Sequence, residues 1–256
     1  MVSIIALFLL IFHMISCQIV RQTGAPLNLV RLSNFNSSSS SSLSSYYYRR
    51  EARRKKGIVD IYVLDSGIDS THVEFSGFSV GSLANLVSHE PDEDLAGHGT
   101  HIAGIIGSKT FGVLKGSGPN IISIKILDRR LSTSWNSIYE ALRMVHQRVN
   151  ATRRSSIINL SVTGSGFDAR IEAILESLYK LRVPVVVSAG NFNRDACSYY
   201  PAKSPFVITV GALSALSDDI LDSPPSNWGN CVHVYAPGQW IKSLQPGNST
   251  RSLRYI

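Results

Sequence analysis

Three short stretches of this chain carry residue types that together can do acyl-transfer chemistry. The first is Gly97-His98-Gly99-Thr100-His101-Ile102-Ala103-Gly104, an imidazole among small residues at the head of an apolar run. The second is Asp65-Ser66-Gly67, a carboxylate before a turn, and the third is Ser188-Ala189-Gly190-Asn191, which ends in a side-chain amide. A base, a carboxylate to orient it and a donor for a developing oxyanion are parts of nucleophilic acyl transfer. Asp65 would accept from one nitrogen of His98 and fix the tautomer, leaving the other nitrogen to face a nucleophile. Asn191 would donate to the oxyanion, a contribution of roughly 3–4 kcal/mol to the transition state. Gly97 and Gly99 leave room for a substrate main chain to approach. Each motif alone has a plain structural reading, since an Asp before Ser-Gly can cap a turn and a histidine among glycines can simply pack. Their occurrence together is far rarer than any one of them.

The elements that must position these groups read as an α/β pattern. Residues 58–64 form a β-branched run between Gly57 and Gly67, a buried strand of a parallel sheet with Asp65 at its C-terminal end. That end of an open α/β sheet is where sites are built. Residues 71–96 read as a surface excursion, and residues 101–106 as a short helix behind His98. Strands follow at 121–127, 157–162, 184–188, 206–210 and 232–236. Between them lie helices at 134–150, with Trp135, Ile138, Leu142, Val145 and Val149 at helical spacing, and at 168–181, where Asp168 can cap the start. Strands alternating with helices imply a three-layer α/β fold, a mostly parallel central sheet with helices on both faces. No internal repeat is visible.

Composition bounds the rest. A chain of 256 residues with 44% apolar and 17% charged residues suits one large globular domain. Residues 49–56 supply +5 of the net charge of +7. That basic run reads as a solvated loop rather than a nucleic-acid patch, because no reader helix or aromatic platform accompanies it; a dibasic processing site stays open. Residues 2–17 are almost wholly apolar yet shorter than the roughly 20 needed to span a bilayer, so they read as a secretory signal peptide rather than a membrane anchor. Cleavage near Cys17 leaves Cys197 and Cys231, which an oxidising compartment would allow to pair. Asn36, Asn150 and Asn248 begin glycosylation sequons consistent with export; Asn159 begins another, inside an apolar strand where it should be buried. Residues 36–45 are a serine-rich loop too polar to pack. The expected organisation is a signal at 1–17, an N-terminal segment at 18–57, and a catalytic domain at 58–256. His72, His89, His146 and His233 have no metal-ligand spacing and read as surface or packing residues.

These motifs resemble the subtilisin-like serine protease family, the subtilases, and more narrowly its proteinase K-like branch. The resemblance runs from about Gln22 to the last residue. Val63-Leu64-Asp65-Ser66-Gly67-Ile68, followed by His72 and Glu74-Phe75, matches the family's aspartate motif; Gly97-His98-Gly99-Thr100-His101 matches its histidine motif; Asn191 matches its oxyanion asparagine. The resemblance implies a secreted monomeric serine endopeptidase that binds a polypeptide as an extended strand, with no nucleic-acid partner and no stable membrane insertion. Ser161-Val162-Thr163-Gly164 matches the substrate-lining strand. The opposite pairing edge falls near Leu131, Ser132 and Trp135, with Trp135 bordering a pocket for a large apolar residue. Cys197 and Cys231 match cysteines that pair in several relatives, although free thiols stay possible without export.

Four departures qualify that picture. No Gly-Thr-Ser-Met-Ala nucleophile motif occurs, and Ser249 and Ser252 stand where the residues just before it are expected. The chain therefore reads as C-terminally truncated, with an inactive peptide-binding pseudoprotease or an unstable fragment as the alternatives. The inhibitory prodomain of most relatives is also missing. The position of the branch's calcium aspartate holds Ser214, with Asp218 and Asp219 displaced, so no calcium or other metal cofactor is expected. Finally, Val162-Thr163 replaces a smaller pattern in the substrate strand. A lipase-like hydrolase is disfavoured, because no Gly-x-Ser-x-Gly elbow occurs and the carboxylate precedes the histidine.

Overall fold

A computed structural model describes residues 18–33, 45–50, 59–115, 119–214, 217–222 and 225–253. The apolar leader and most of the serine-rich and basic runs lie outside those residues. The chain begins with β1 (Gln18–Thr23), α1 (Leu27–Ser33) and β2 (Ser45–Arg50), where β1 and β2 form an antiparallel pair. Next come β3 (Val59–Asp65), β4 (Ser79–Asn85), α2 (His98–Ile106), β5 (Asn120–Lys125), α3 (Trp135–Thr152), β6 (Ser155–Leu160), α4 (Ala169–Lys180), β7 (Val185–Ser188), β8 (Ile208–Leu213) and β9 (Val234–Pro237). A hairpin of β10 (Ile241–Gln245) and β11 (Ser249–Leu253) follows.

One seven-stranded sheet organises the molecule in the order β4-β5-β3-β6-β7-β8-β9. Every pairing in it is parallel. The expected three-layer architecture is therefore present. Strand β3 is buried from residue 60 to residue 65, as a parallel strand covered on both faces must be. Alternation sends its side chains to opposite layers. Tyr62 and Leu64 join a large core with Ile138, Leu142 and Val145 of α3 and Ile171, Leu175 and Leu178 of α4. Val63 faces the other way, toward Ile102 and Ala103 of α2, Ile121 of β5 and Leu244 of β10. The cap expected at Asp168 is present, and Ser134 caps the other long helix. Ser134 Oγ accepts from Ser137 N, and the Asp168 side chain accepts from Arg170 N.

The connections through α2 and α4 step in the same direction across the sheet, yet the two helices lie on opposite faces. Their crossovers therefore have opposite hands. Right-handed units are the general rule, so the unit carrying α2 is the exception.

Two local expectations need correction. Residues 71–96 are not solely a surface excursion, because they contain β4, the edge strand paired with β5. Its sequence SVGSLAN is short, polar and half-exposed, so it carries almost no strand pattern. The helix at the histidine motif begins at His98 rather than residue 101. Gly97 is its N-cap without a side-chain cap bond, so the usual start signal is missing.

Cys197 and Cys231 form a disulfide across a sequence separation of 34. It ties the loop after β7 to the loop before β9. In the chain-entropy model a closure of that length contributes about 3–4 kcal/mol. Asn159 lies half-buried in β6, with Nδ2 donating to Ser161 Oγ at 3.0 Å.

Candidate active site

The register of the sheet lines up the three motif-bearing segments. Leu64 of β3 pairs with Leu160 of β6, and Leu160 with Val187 of β7. Asp65, Ser161 and Ser188 are thus the next residues along three adjacent strands, at one edge of the sheet. Neighbouring strands lie about 4.8 Å apart, so Asp65 and Ser188 are separated by about 10 Å. The connection leaving β3 runs toward β4 on one side, whereas that leaving its neighbour β6 runs toward β7 on the other, which places Asp65 at a topological switch point, where α/β sheets open a crevice.

His98 is the first residue of α2, and its Nδ1 lies 2.8 Å from Asp65 Oδ1 and 2.9 Å from Oδ2. A carboxylate only accepts, so Nδ1 carries the proton of the neutral ring and Nε2 presents a lone pair. Asp65 is fully buried, while the His98 side chain keeps 17% of its exposure. Burial alone pushes the His98 imidazolium toward losing its proton; the Asp65 carboxylate, with help from Asp94, outweighs this and raises its pKa above the ordinary histidine value. Asp65 is itself held, accepting from Ser66 N at 2.7 Å.

The space at Gly99 has a different use from the expected one. A Cβ there would meet Gly67 O at 2.1 Å and Asp65 Cβ at 3.2 Å. The missing side chain lets the start of α2 close onto the end of β3, not onto a substrate. His101, the second histidine of the motif, is buried and engages the Ile241 carbonyl of β10 through Nε2 at 3.1 Å.

Asn191 follows β7 on a tight loop and is half-exposed; its side chain makes no hydrogen bond among the described residues. A residue outside the three motifs shapes this loop. Asn227, fully buried, donates from Nδ2 to Ala189 O at 2.8 Å and accepts at Oδ1 from Phe192 N at 3.0 Å and Arg194 N at 3.1 Å. Gly190 sits at φ 101°, and a Cβ on it would stand 2.6 Å from Asn227 Nδ2. The only sequence signal for Asn227 is an asparagine before Trp-Gly, too common to single out. Asn227→Ala leaves three backbone groups unanswered, so we expect a loss of about 1–3 kcal/mol in denaturant unfolding. Amide exchange should rise at residues 189–194 with little change at α3.

The expected substrate-lining residues are only partly assembled. Thr163 Oγ1 donates to Ser188 O at 2.5 Å, bridging the ends of β6 and β7. The Trp135 ring lies 3.6–3.7 Å from Cβ positions built on Gly164 and Gly166, and meets Tyr200 edge-on at 5.8 Å. Ser161 and Val162 are half-buried on the same strand end. Gly164, however, spends its own backbone groups on Tyr200. The opposite edge is also more closed than expected. Leu131 N donates to Asp128 O and Asp128 N to Ser132 O, while Ser132 N donates to Asp128 Oδ1. Leu131 and Ser132 thus form a turn around Asp128, with Leu131 at φ 60°, and Trp135 already belongs to α3. Beside α2, a cleft of about 210 Å³ is lined by Ile102, Ile105, Ser161, Ser188 and Gly211.

Known proteins resemble this chain in sequence and in fold. Residues 55–255 match the family model described as the Subtilase family. The chain is 38% identical over 190 residues to Subtilisin-like protease 2 of Trichophyton equinum, an alignment covering 73% of this chain and 43% of that protein. It is 38% identical over 197 residues to a subtilisin-like protease of Coccidioides posadasii, covering 76% and 47%. The chain thus spans less than half the length of these curated relatives. A solved structure titled as that of a cold adapted subtilisin-like serine proteinase superposes with a TM-score of 0.73 at 27% identity, covering 91% of this chain and 80% of that one. The fold and the paired carboxylate and imidazole define a subtilisin-like α/β protein. The chain belongs to the subtilase family.

Proposed function

We propose that this protein is a serine endopeptidase acting on polypeptides, with His98 as general base, Asp65 as its orienting carboxylate and Asn191 as oxyanion donor. The observation that carries the reading is the Asp65–His98 pair, in which one Nδ1–H is shared by both carboxylate oxygens and Nε2 is left for the crevice side. In this mechanism Nε2 takes the proton of a serine hydroxyl as its oxygen attacks the peptide carbonyl, and returns it to the leaving amine. A water then repeats the sequence to release the acyl group. Among the described residues no serine hydroxyl is bonded to Nε2. Ser249 is committed elsewhere, its Oγ donating to Pro246 O and its carbonyl accepting from His72. The second reading is a protein that holds peptides without cleaving them.

The test compares residues 1–256 with the same protein carrying whatever its gene encodes beyond Ile256, each with a His98→Ala partner. Casein turnover and fluorophosphonate labelling lost in His98→Ala would support the peptidase. No turnover in either form, with peptide binding retained, would replace it with the second reading. The leader at 1–17 fits export to an oxidising compartment, which the Cys197–Cys231 bond also favours.

The reading includes no calcium at Ser214. Arg31 of α1 sends its guanidinium to the Ser214 carbonyl at 2.5 Å and to Asp218 Oδ1 at 2.5 Å. A positive charge already placed at Ser214 and Asp218 opposes a second cation there. The melting temperature is expected to be the same in excess calcium and in chelator; a rise of several degrees with calcium would refute this.

A further inference from the structure

We propose that Asp94 is a positioning residue of the Asp65–His98 pair: its carboxylate clamps the strand end carrying Asp65 to the helix start carrying His98, and so fixes the alignment in which they hydrogen-bond. The inference rests on His98 being the base of the site. Asp94 is 7% exposed. Its Oδ1 accepts from Ser66 Oγ at 2.7 Å and from Gly97 N at 2.8 Å, and its Oδ2 from Thr100 N at 2.8 Å. Ser66 Oγ in turn accepts from Gly99 N at 2.9 Å. Helix α2 has no side-chain cap of its own. The backbone N–H groups of Gly99 and Thr100, which lack partners within the helix, are answered from outside by Ser66 and Asp94. Ser66 is the residue after Asp65, and Gly97 and Gly99 flank His98. One buried carboxylate therefore holds both partners through their immediate neighbours, and a shift of either segment would stretch several of these bonds together.

Asp94 also adds a second negative charge facing the imidazole, in the same sense as Asp65. Other ionised or titratable groups near this turn include Lys125 of β5, which donates to Ser66 O at 3.0 Å and Glu93 O at 2.7 Å, Glu93 itself, buried His101 of α2, and Asp69, whose N–H donates to Thr100 Oγ1 at 2.9 Å. Lys125 is engaged by Glu90 at 3.1 Å. Asp94 is thus the acidic group that joins the strand end to the helix start.

The experiment is an NMR titration of His98, with solvent exchange of its Nδ1 proton, in the whole chain. In Asp94→Asn the His98 midpoint should fall by about half a pH unit or more, and the Nδ1 proton should exchange at least several-fold faster. Asp92→Asn removes a charge from an exposed position in the same loop and should change neither. A folded Asp94→Asn protein with the wild-type midpoint and exchange rate would overturn the proposal, as would an Asp92→Asn effect of equal size. If Asp94→Asn does not fold, Ser66→Ala decides. It keeps every charge and cuts the Asp94–Ser66–Gly99 link, so faster Nδ1 exchange supports the clamp and unchanged exchange overturns it. No readout uses turnover, so failure of the peptidase reading would show separately, as an intact titration without cleavage.

Discussion

Gly99→Ala is expected to pull His98 away from Asp65. The added Cβ would stand 2.1 Å from the Gly67 carbonyl oxygen, far inside contact distance. That obstacle is backbone, fixed by the end of β3, so it cannot turn aside as a flexible side chain would. The start of α2 must retreat, and the Ser66 and Asp94 bonds to it stretch. Overpacking of this kind costs typically about 1–3 kcal/mol, and a backbone clash belongs at the upper end. Denaturant unfolding should show a loss of about 3 kcal/mol, and NMR should show the His98 Nδ1 proton signal weakened or lost. A variant with wild-type stability and an unaltered Nδ1 signal would mean that the close approach does not constrain the site.

Asp65→Asn should reverse the titration behaviour of His98. In the native protein burial opposes the imidazolium, and the Asp65 carboxylate more than compensates, with a raised pKa as the net result. Protonated His98 is therefore favoured by folding. Its contribution is fully present below the ordinary value of 6.5 and is lost as pH rises through the higher folded value. With an amide at residue 65 the leading opposing charge is gone, burial dominates, and the His98 midpoint should drop below that of the native protein. The gain in stability on acidification through this window should shrink or change sign, measured as denaturant midpoints at pH 5 and pH 8. The amide also allows the wrong tautomer at Nδ1. In a form of the protein that turns over, kcat should fall by about four orders of magnitude, the cost of holding the imidazole in the wrong tautomer. With Asp65 in place, such a form should show kcat/KM rising with pH as His98 loses its proton, with a midpoint above that of an ordinary histidine. Near-native rates or an unmoved His98 titration in Asp65→Asn would remove Asp65 from its assigned role.

Much of this arrangement was legible because its signals are local. Residues 58–64 could hardly be anything but a doubly covered strand, and Asp65 falls at its end for that reason. Asp168 announces the start of α4 by the same capping chemistry that the structure shows. Where the sequence lacks such signals the expectations slipped. Strand β4 is polar and at the sheet edge, so its pairing with β5 supplies what its composition does not. Helix α2 begins at His98 because Ser66 and Asp94, from outside the helix, answer its first N–H groups. Leu131 and Ser132 fold around Asp128 through bonds that no spacing rule announces, so the edge expected to pair with a peptide is partly consumed.

The sequence by itself determined the family, the residue types of the site and the alternation that buries β3 between two layers. Those depend on side-chain chemistry and on periods of two and 3.6 residues, which are read within one segment. Tertiary structure alone decided that α2 crosses to the face opposite α3 and α4, that Gly99 meets Gly67 rather than a substrate, and that Asn227 and Asp94 support Asn191 and His98. Each of these is a contact between segments distant in the chain. Its energy depends on separations of a few tenths of an ångström that no local pattern records.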